Sequence, residues 1–139
     1  MVRKQDFEHI SEFVWELPKS YRYDMRVPAR LYASERLLED ALDDASVEQL
    51  INTTTLPGLV KYAIAMPDIH QGYGFPIGGV IASRTSDGVI SPGAVGYDIN
   101  CGVRVLASQI TLEEARPLLD KLANSLYRRC PTGVGKGGG

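Results

Sequence analysis

The sequence predicts an α+β fold in which mixed strands lead into glycine-rich loops and helices flank them. Three observations carry this prediction. Aliphatic runs of strand length recur, such as LVKYAIAM at Leu59–Met66. Helical spacing of apolar residues follows capping residues in ERLLEDALDD and in LEEARPLLDKLANSLYRR. Between these elements, stretches such as MPDIHQGYGFPIGG concentrate glycine and proline. With 139 residues, 44% of them hydrophobic, the chain can bury a core as a single domain over residues 1–139.

The N-terminal elements are predicted from short patterns. Phe7, Ile10 and Phe13 indicate a short helix over about Asp6–Phe13. The alternation in MRVPARLYAS, Met25–Ser34, predicts a strand, and Pro28 favours an edge or a bulge. Ser34 is expected to cap a helix over ERLLEDALDD. The apolar stripe of that helix comprises Leu37, Leu38, Ala41 and Leu42.

The middle of the chain is predicted to form a second helix and a strand. Ser46 is expected to cap VEQLINTTT, and Pro57 and Gly58 to end that helix. The strand Leu59–Met66 is expected to end at Met66, because a following proline restricts the residue before it.

Two more strands and the longest helix are predicted beyond that point. The strands are IGGVIASRT and VRVLASQI, and Asp87-Gly88 indicates a hairpin turn between IASRTS and VIS. Thr111 is expected to cap a helix over about Leu112–Arg129, with Pro117 early in it and a basic C-terminal end. Its apolar face comprises Leu118, Leu119, Leu122 and Leu126.

Composition excludes several classes of protein. A net charge of −2 and a pI of about 5.7 exclude a globally basic protein that grips nucleic acid by charge alone. Two cysteines, Cys101 and Cys130, are too few for a disulfide scaffold, although composition does not exclude one disulfide between them. No signal peptide or apolar run of membrane-spanning length is present, so we expect a soluble, cytoplasmic chain with no membrane partner.

Asp98 and Cys101 form a candidate half of a metal site. They lie three residues apart in YDINCG, where Gly96 and Gly102 favour a turn that brings both side chains together. A thiolate with a carboxylate suits a transition metal better than Ca²⁺ or Mg²⁺. The alternative is that Asp98 caps the turn and Cys101 is a small buried hydrophobe. Two ligands are fewer than the usual three or four, so such a site needs water, a partner chain or further sequence.

Asp68 and His70 are the second candidate pair. At the end of a strand, Asp68 could bind a metal, orient a histidine or act as a base, and His70 could be a ligand or a proton carrier. The structural alternative is that Asp68 caps the following loop and His70 donates to a backbone carbonyl.

The remaining loop residues suggest fewer roles. Four glycines, Gly72, Gly74, Gly78 and Gly79, permit close approach of backbone to a ligand or a positive φ. Residues 133–139 are predicted to be a flexible glycine-rich tail, with weak phosphate-binding potential through Lys136. Cys130 follows two arginines that could lower its pKa, but a buried thiol at a helix end is the stronger interpretation. His9 is placed on a surface helix and receives no role.

MPDIHQGYGFPIGGV followed by SPGAVGYDINCGVR resembles the N-terminal part of the RtcB family of RNA-splicing ligases. The resemblance extends from about Leu59 to Leu106 and to PTGVG at Pro131–Gly135. It implies an incomplete part of a larger RtcB-type fold, because members of that family are several hundred residues long. Their guanylylated histidine and remaining metal-binding histidines lie beyond the matched region.

The resemblance also implies a function. RtcB ligases join RNA ends carrying a 3′-phosphate or a 2′,3′-cyclic phosphate to 5′-hydroxyl ends in tRNA splicing and RNA repair, with GTP and two Mn²⁺ ions. Carried over to this sequence, Asp98 would bind one Mn²⁺, Cys101 would bridge both ions, and Asp68 would orient the guanylylated histidine. His70 matches the motif without a clear role. The expected partners are RNA, as tRNA halves or broken RNA, and an accessory activator protein, and the isolated chain is expected to be inactive.

Two other functions stay open on the residues alone. The chain could be a non-catalytic module that binds metal or a partner. It could also be a metal-dependent phosphoesterase, which needs metal and polar loops but no guanylylated histidine.

Overall fold

A computed structural model describes residues 2–96 and 102–130. The chain divides into two compact units, Met1–Cys101 and Gly102–Gly139, which are described separately. The predicted tail at residues 133–139, with Lys136, lies outside the described residues.

The first unit is built on a five-stranded sheet in the order β1-β2-β3-β4-β5. All neighbouring strands are antiparallel except β3 and β4, which are parallel, so the sheet is mixed. The strands are β1 Glu8–Ser11, β2 Val14–Leu17, β3 Ala29–Tyr32, β4 Leu59–His70 and β5 Ile77–Ser83. The sheet and its helices confirm the predicted α+β class.

Two helices connect the parallel strands, as a parallel pair requires. They are α1, Glu35–Leu42, and α2, Ser46–Thr53. The second unit contains α3, Leu112–Ala115, and α4, Leu119–Arg129. Short 3₁₀ turns cover Lys4–Asp6, Lys19–Tyr21, Pro92–Ala94 and Arg116–Leu118.

One hydrophobic cluster joins the sheet of the first unit to its two helices. Leu17 and Leu31 are fully buried on the sheet, and Leu38, Leu50 and Ile51 bring the helices onto it. Burying each such side chain contributes about 1.5–3 kcal/mol. The cluster thereby fixes α2 against β4, next to the glycine-rich loop that follows β4.

Two of the three capping predictions, at Ser34 and Thr111, are confirmed. The Ser34 hydroxyl accepts from the backbone N–H of Leu37 at 3.3 Å and starts α1. Thr111 and Glu114 form a reciprocal capping box at the start of α3. These signals depend on a few neighbouring residues, so they can be recognised in sequence alone.

The predicted helix at Asp6–Phe13 is wrong. This segment follows a 3₁₀ turn and forms β1, which pairs with β2 in a hairpin. His9 therefore lies on a strand rather than a helix, and its ring stacks on Trp15 with 4.1 Å between ring centroids. Burial of Trp15 and Leu17 on alternate positions of β2 favours the strand over the local helical pattern.

Three further predictions, on the end of β4, on Pro28 and on Ser46, are also corrected. The strand continues through Pro67 to His70, because a register shift after Ala65 interrupts the ladder where proline has no N–H to donate. Pro28 directly precedes the interior strand β3 and does not mark an edge. Ser46 is the first residue of α2 rather than its cap, and its hydroxyl donates to the Ala41 carbonyl at 3.3 Å.

Predictions for the C-terminal half are mixed. The turn at Asp87-Gly88 is confirmed, since Gly88 N–H donates to the Arg84 carbonyl at 2.8 Å, but VIS forms no second strand. Val103–Ile110 is not a strand in the structure, and Val105 is 92% exposed. The long helix forms with a 3₁₀ turn at Pro117, which cannot donate the usual backbone hydrogen bond. The leucines of its apolar face are all about half exposed.

Candidate functional site

The loop between β4 and β5 is held in place by two side chains from the α2 region. Gln49 forms two hydrogen bonds with Gly72, donating to its carbonyl at 2.8 Å and accepting from its N–H at 3.0 Å. The Asp44 carboxylate accepts from the N–H of Gln71 at 2.9 Å. This part of the glycine-rich loop is therefore anchored to α2.

Asp44 has a lowered pKa at this anchor. Burial acts to raise the pKa of Asp44, but hydrogen bonds from Ser46 and Gln71, together with nearby His70, outweigh it. The ionised carboxylate is thus the form that holds the loop.

Glycine is required by the backbone within this motif. Gly74 and Gly78 have φ values of +93° and +77°, which L side chains rarely adopt. A Cβ at Gly78 would also lie 2.8 Å from Oδ1 of Asp68. The expectation of positive φ is confirmed at these two positions, and Gly78 leaves the space that the Asp68 carboxylate uses.

Asp68 and His70 both lie on exposed parts of β4. Nδ1 of His70 lies 2.8 Å from the backbone carbonyl of Asp68, which it contacts as a hydrogen-bond donor. This contact matches the structural interpretation of His70. The Asp68 carboxylate stands next to Gly78 at the start of β5, so a candidate functional group and a glycine of the same motif are neighbours.

The structure brings the two glycine-rich motifs together at a cavity of about 220 Å³, called here the loop cavity. It is lined by Asn52, Thr53, Leu56, Tyr73, Gly74, Phe75, Ser91 and Gly93. Sequence reasoning missed the polar residues from α2 and the two aromatic residues. The alternation of glycine with aromatic residues in GYGF was the sequence signal from which Tyr73 and Phe75 could have been found.

The metal-site residues Asp98 and Cys101 lie outside the described residues. Within residues 2–96 and 102–130, no three His, Cys, Asp or Glu side chains are grouped so as to hold a metal ion. Cys130, predicted to be buried, is instead exposed and has a free thiol at the end of α4.

An apolar groove of about 700 Å³ lies on the sheet of the first unit. Its lining includes Phe13, Leu37, Ile64, Met66 and Val80, four of which are between 40% and 54% exposed. Ile64 and Met66 alternate along β4 with the buried Ala63 and Ala65, so the groove faces away from the core.

Fold and site together define an α+β protein in which two glycine-rich motifs meet beside a sheet. Comparison with known proteins gives the family. The model of the family described as tRNA-splicing ligase RtcB matches residues 49–139. This chain belongs to the RtcB family.

Curated relatives agree over almost the whole chain. The tRNA-splicing ligase RtcB of Pyrobaculum aerophilum is 48% identical over 134 residues, covering 96% of this chain and 28% of the relative. The proteins of the same name from Thermococcus kodakarensis and Archaeoglobus fulgidus are each 50% identical, over 131 and 129 residues. They cover 94% and 93% of this chain, which spans 27% of each of them. In the described part of this chain, no helix is long and apolar enough to cross a membrane.

Proposed function

We propose that this chain is the N-terminal part of an RNA ligase of the RtcB type. The activity is the joining of an RNA 3′-phosphate or 2′,3′-cyclic phosphate end to a 5′-hydroxyl end, with GTP and Mn²⁺, in tRNA splicing and RNA repair. The observation that carries the proposal is the match of residues 49–139 to the RtcB family, together with identities near 50% to curated tRNA-splicing ligases.

The donor set of the second motif fits a transition metal. Asp98 offers a hard carboxylate oxygen and Cys101 a soft thiolate, a pair that favours a transition ion over Ca²⁺ or Mg²⁺. We assign these two residues as ligands for Mn²⁺. When bound, the metal offsets the negative charge of the reacting phosphate groups.

In the first motif, Asp68 is proposed to position a catalytic group rather than to bind a metal ion. The Asp68 carboxylate lies beside Gly78, on the neighbouring strand β5. Gln49 and Asp44 anchor the loop that joins β4 to β5. We assign Asp68 the task of orienting the histidine that carries GMP, which lies elsewhere in a full-length protein. His70 donates to the Asp68 backbone carbonyl and so supports the local conformation of the same strand.

Calorimetric titration of the chain with Mn²⁺ tests the metal assignment. With only two protein donors, we expect weak Mn²⁺ binding. The affinity for Mn²⁺ should fall by about tenfold or more in Cys101→Ser and in Asp98→Asn. Cys130→Ser is the matched control, because that thiol is exposed and free, and its Mn²⁺ affinity should equal that of the wild type. Equal affinity in the wild type and Cys101→Ser would refute the assignment.

Covalent labelling with GTP tests whether the guanylylated histidine lies outside these residues. The chain holds two histidines, His9 and His70, and both have structural contacts. We expect no covalent labelling when the chain is incubated with Mn²⁺ and GTP labelled at the α-phosphate. A labelled band would show that the nucleophile lies within these residues and would contradict the proposed role of Asp68.

A further inference from the structure

Tyr73 is presented to solvent by an anchored loop. Its side chain is 87% exposed at the border of the loop cavity, and the residue before it, Gly72, is held by both hydrogen bonds of Gln49. Phe75, two residues further on, lines the same cavity and is half-buried. An aromatic ring on a fixed backbone is a platform on which a flat ligand can stack at low entropic cost.

Polar groups converge on the same cavity from α2 and from the second motif. Asn52 contributes an amide, and Thr53 and Ser91 contribute hydroxyls. Arg22 donates to Oδ1 of Asn52 at 2.8 Å, which fixes the orientation of that amide. A small number of oriented polar groups beside aromatic rings is the usual composition of a site that binds a small, flat molecule.

Gly93 leaves room for such a ligand. It lies in the 3₁₀ turn Pro92–Ala94, its φ is not in the left-handed region, and no heavy atom lies within 4 Å of the position that a Cβ would take. Neither backbone conformation nor packing among the described residues therefore requires glycine here. A Cβ at this position would instead occupy space at the cavity wall.

None of the described residues that line the loop cavity has a charged side chain. Arg22 contacts the lining residue Asn52 through a hydrogen bond. Its guanidinium is paired with Asp24 at 2.6 Å and with Glu48 at 3.0 Å. The cavity therefore offers no unpaired positive charge from Arg22 to a phosphate group of a ligand. Aromatic stacking combined with amide and hydroxyl groups is the chemistry that recognises an unpaired nucleobase.

We propose that the loop cavity binds a single nucleobase of the RNA substrate, with Tyr73 stacked on the face of the base and Asn52 and Ser91 at its edge. The identification of RNA as the source of the base rests on the proposed function. The site itself rests on the cavity, the exposed ring and the open wall at Gly93.

Binding of a fluorescently labelled single-stranded RNA of about ten nucleotides, followed by anisotropy in EDTA, tests the proposal. Loss of one stacked base costs about 1–3 kcal/mol, so Tyr73→Ala should weaken binding about 5- to 160-fold. Tyr73→Phe keeps the ring and should bind as the wild type does. Gly93→Ala should weaken binding by filling the cavity wall. Tyr23→Ala is the matched control, since Tyr23 is fully exposed and does not line the cavity.

The proposal is overturned if the wild-type chain does not bind the RNA, or if Tyr73→Ala and Gly93→Ala bind it as tightly as Tyr23→Ala. Competition identifies the source of the base: unlabelled RNA should displace the probe at far lower concentration than GTP does. Displacement by GTP at equal or lower concentration would overturn the assignment to RNA. Because EDTA removes metal ions, failure of Mn²⁺ binding at Asp98 and Cys101 would not change these outcomes, so the two proposals fail separately.

Discussion

Replacing Gly78 by alanine tests the geometry that places Asp68. Gly78 has a φ of +77°, and a Cβ there would lie 2.8 Å from Oδ1 of Asp68 and 3.1 Å from the backbone N of Ile69. A side chain in the left-handed region costs about 1–2 kcal/mol. Displacing the carboxylate and the adjacent backbone adds about 1 kcal/mol, as overpacking does.

Gly93→Ala is the matched control for this cost. Any Gly→Ala change stabilises by about 0.4–1 kcal/mol through the unfolded chain, and that contribution is shared by both variants. Gly93 has neither a left-handed φ nor a neighbour within 4 Å of its Cβ position. The free energy of unfolding should therefore be about 2–3 kcal/mol lower for Gly78→Ala than for Gly93→Ala.

Urea unfolding followed by the fluorescence of Trp15 measures this difference. Trp15 is the single tryptophan, it is 8% exposed in the core of the first unit, and its indole N–H donates to the Ala33 carbonyl at 3.1 Å. Its emission therefore reports unfolding of the unit that contains Asp68. Equal stability of the two variants would refute the strained backbone at Gly78 and the close packing of Asp68 against it.

Three further predictions follow from the same contacts. Gln49→Ala removes both hydrogen bonds to Gly72, so the free energy of unfolding should fall by about 1–3 kcal/mol. The Gly72 amide should also exchange hydrogen faster. Unchanged exchange would show that Gln49 does not anchor the loop. The folded pKa of Asp44 is lowered, so the stability it contributes is present above its ordinary pKa and is lost as pH falls through the folded value. Asp44→Asn should flatten the decline in urea midpoint below about pH 4, and a decline as steep as in the wild type would contradict this. Hydrogen bonding to Arg84 holds the pKa of Asp87 at about 2, and an NMR titration should reproduce that value. Arg84→Gln should move the pKa of Asp87 back towards 3.8. An unchanged pKa in the variant would mean that the Arg84–Asp87 pair does not form in solution.

Local signals in the sequence predicted the elements that depend on local contacts. Ser34 and Thr111 each start a helix through a hydrogen bond to a residue three positions along the chain. The aliphatic run from Leu59 predicted β4, because a short run of aliphatic residues is typical of a buried strand. These features require no knowledge of the rest of the fold.

Elements that depend on distant residues were not predictable in the same way. The N-terminal segment forms a hairpin because Trp15 pairs with His9 and with Leu31 on β3, a strand that lies well along the sequence. β4 passes through Pro67 because its neighbour β5 shifts register there. Propensity within a short window does not contain these pairings.

The same limit explains what was missed at the site. The loop cavity combines Asn52 of α2, Tyr73 of the first motif and Ser91 of the second, which are separated by up to about forty positions in sequence. The motifs themselves were recognisable because glycine and proline cluster in them. Their meeting at one cavity, and the contribution of α2 to it, depend on the packing of α2 against β4.

A ligation assay on a chimera tests the central claim most directly. The 131 residues of this chain that align with the tRNA-splicing ligase RtcB of Thermococcus kodakarensis, at 50% identity, would replace their counterparts in that protein. With GTP and Mn²⁺, the chimera should join an RNA with a 3′-phosphate to an RNA with a 5′-hydroxyl. Cys101→Ser should abolish joining, and Cys130→Ser should preserve it. A folded chimera that joins no RNA, or that joins it equally well with Cys101→Ser, would contradict the account.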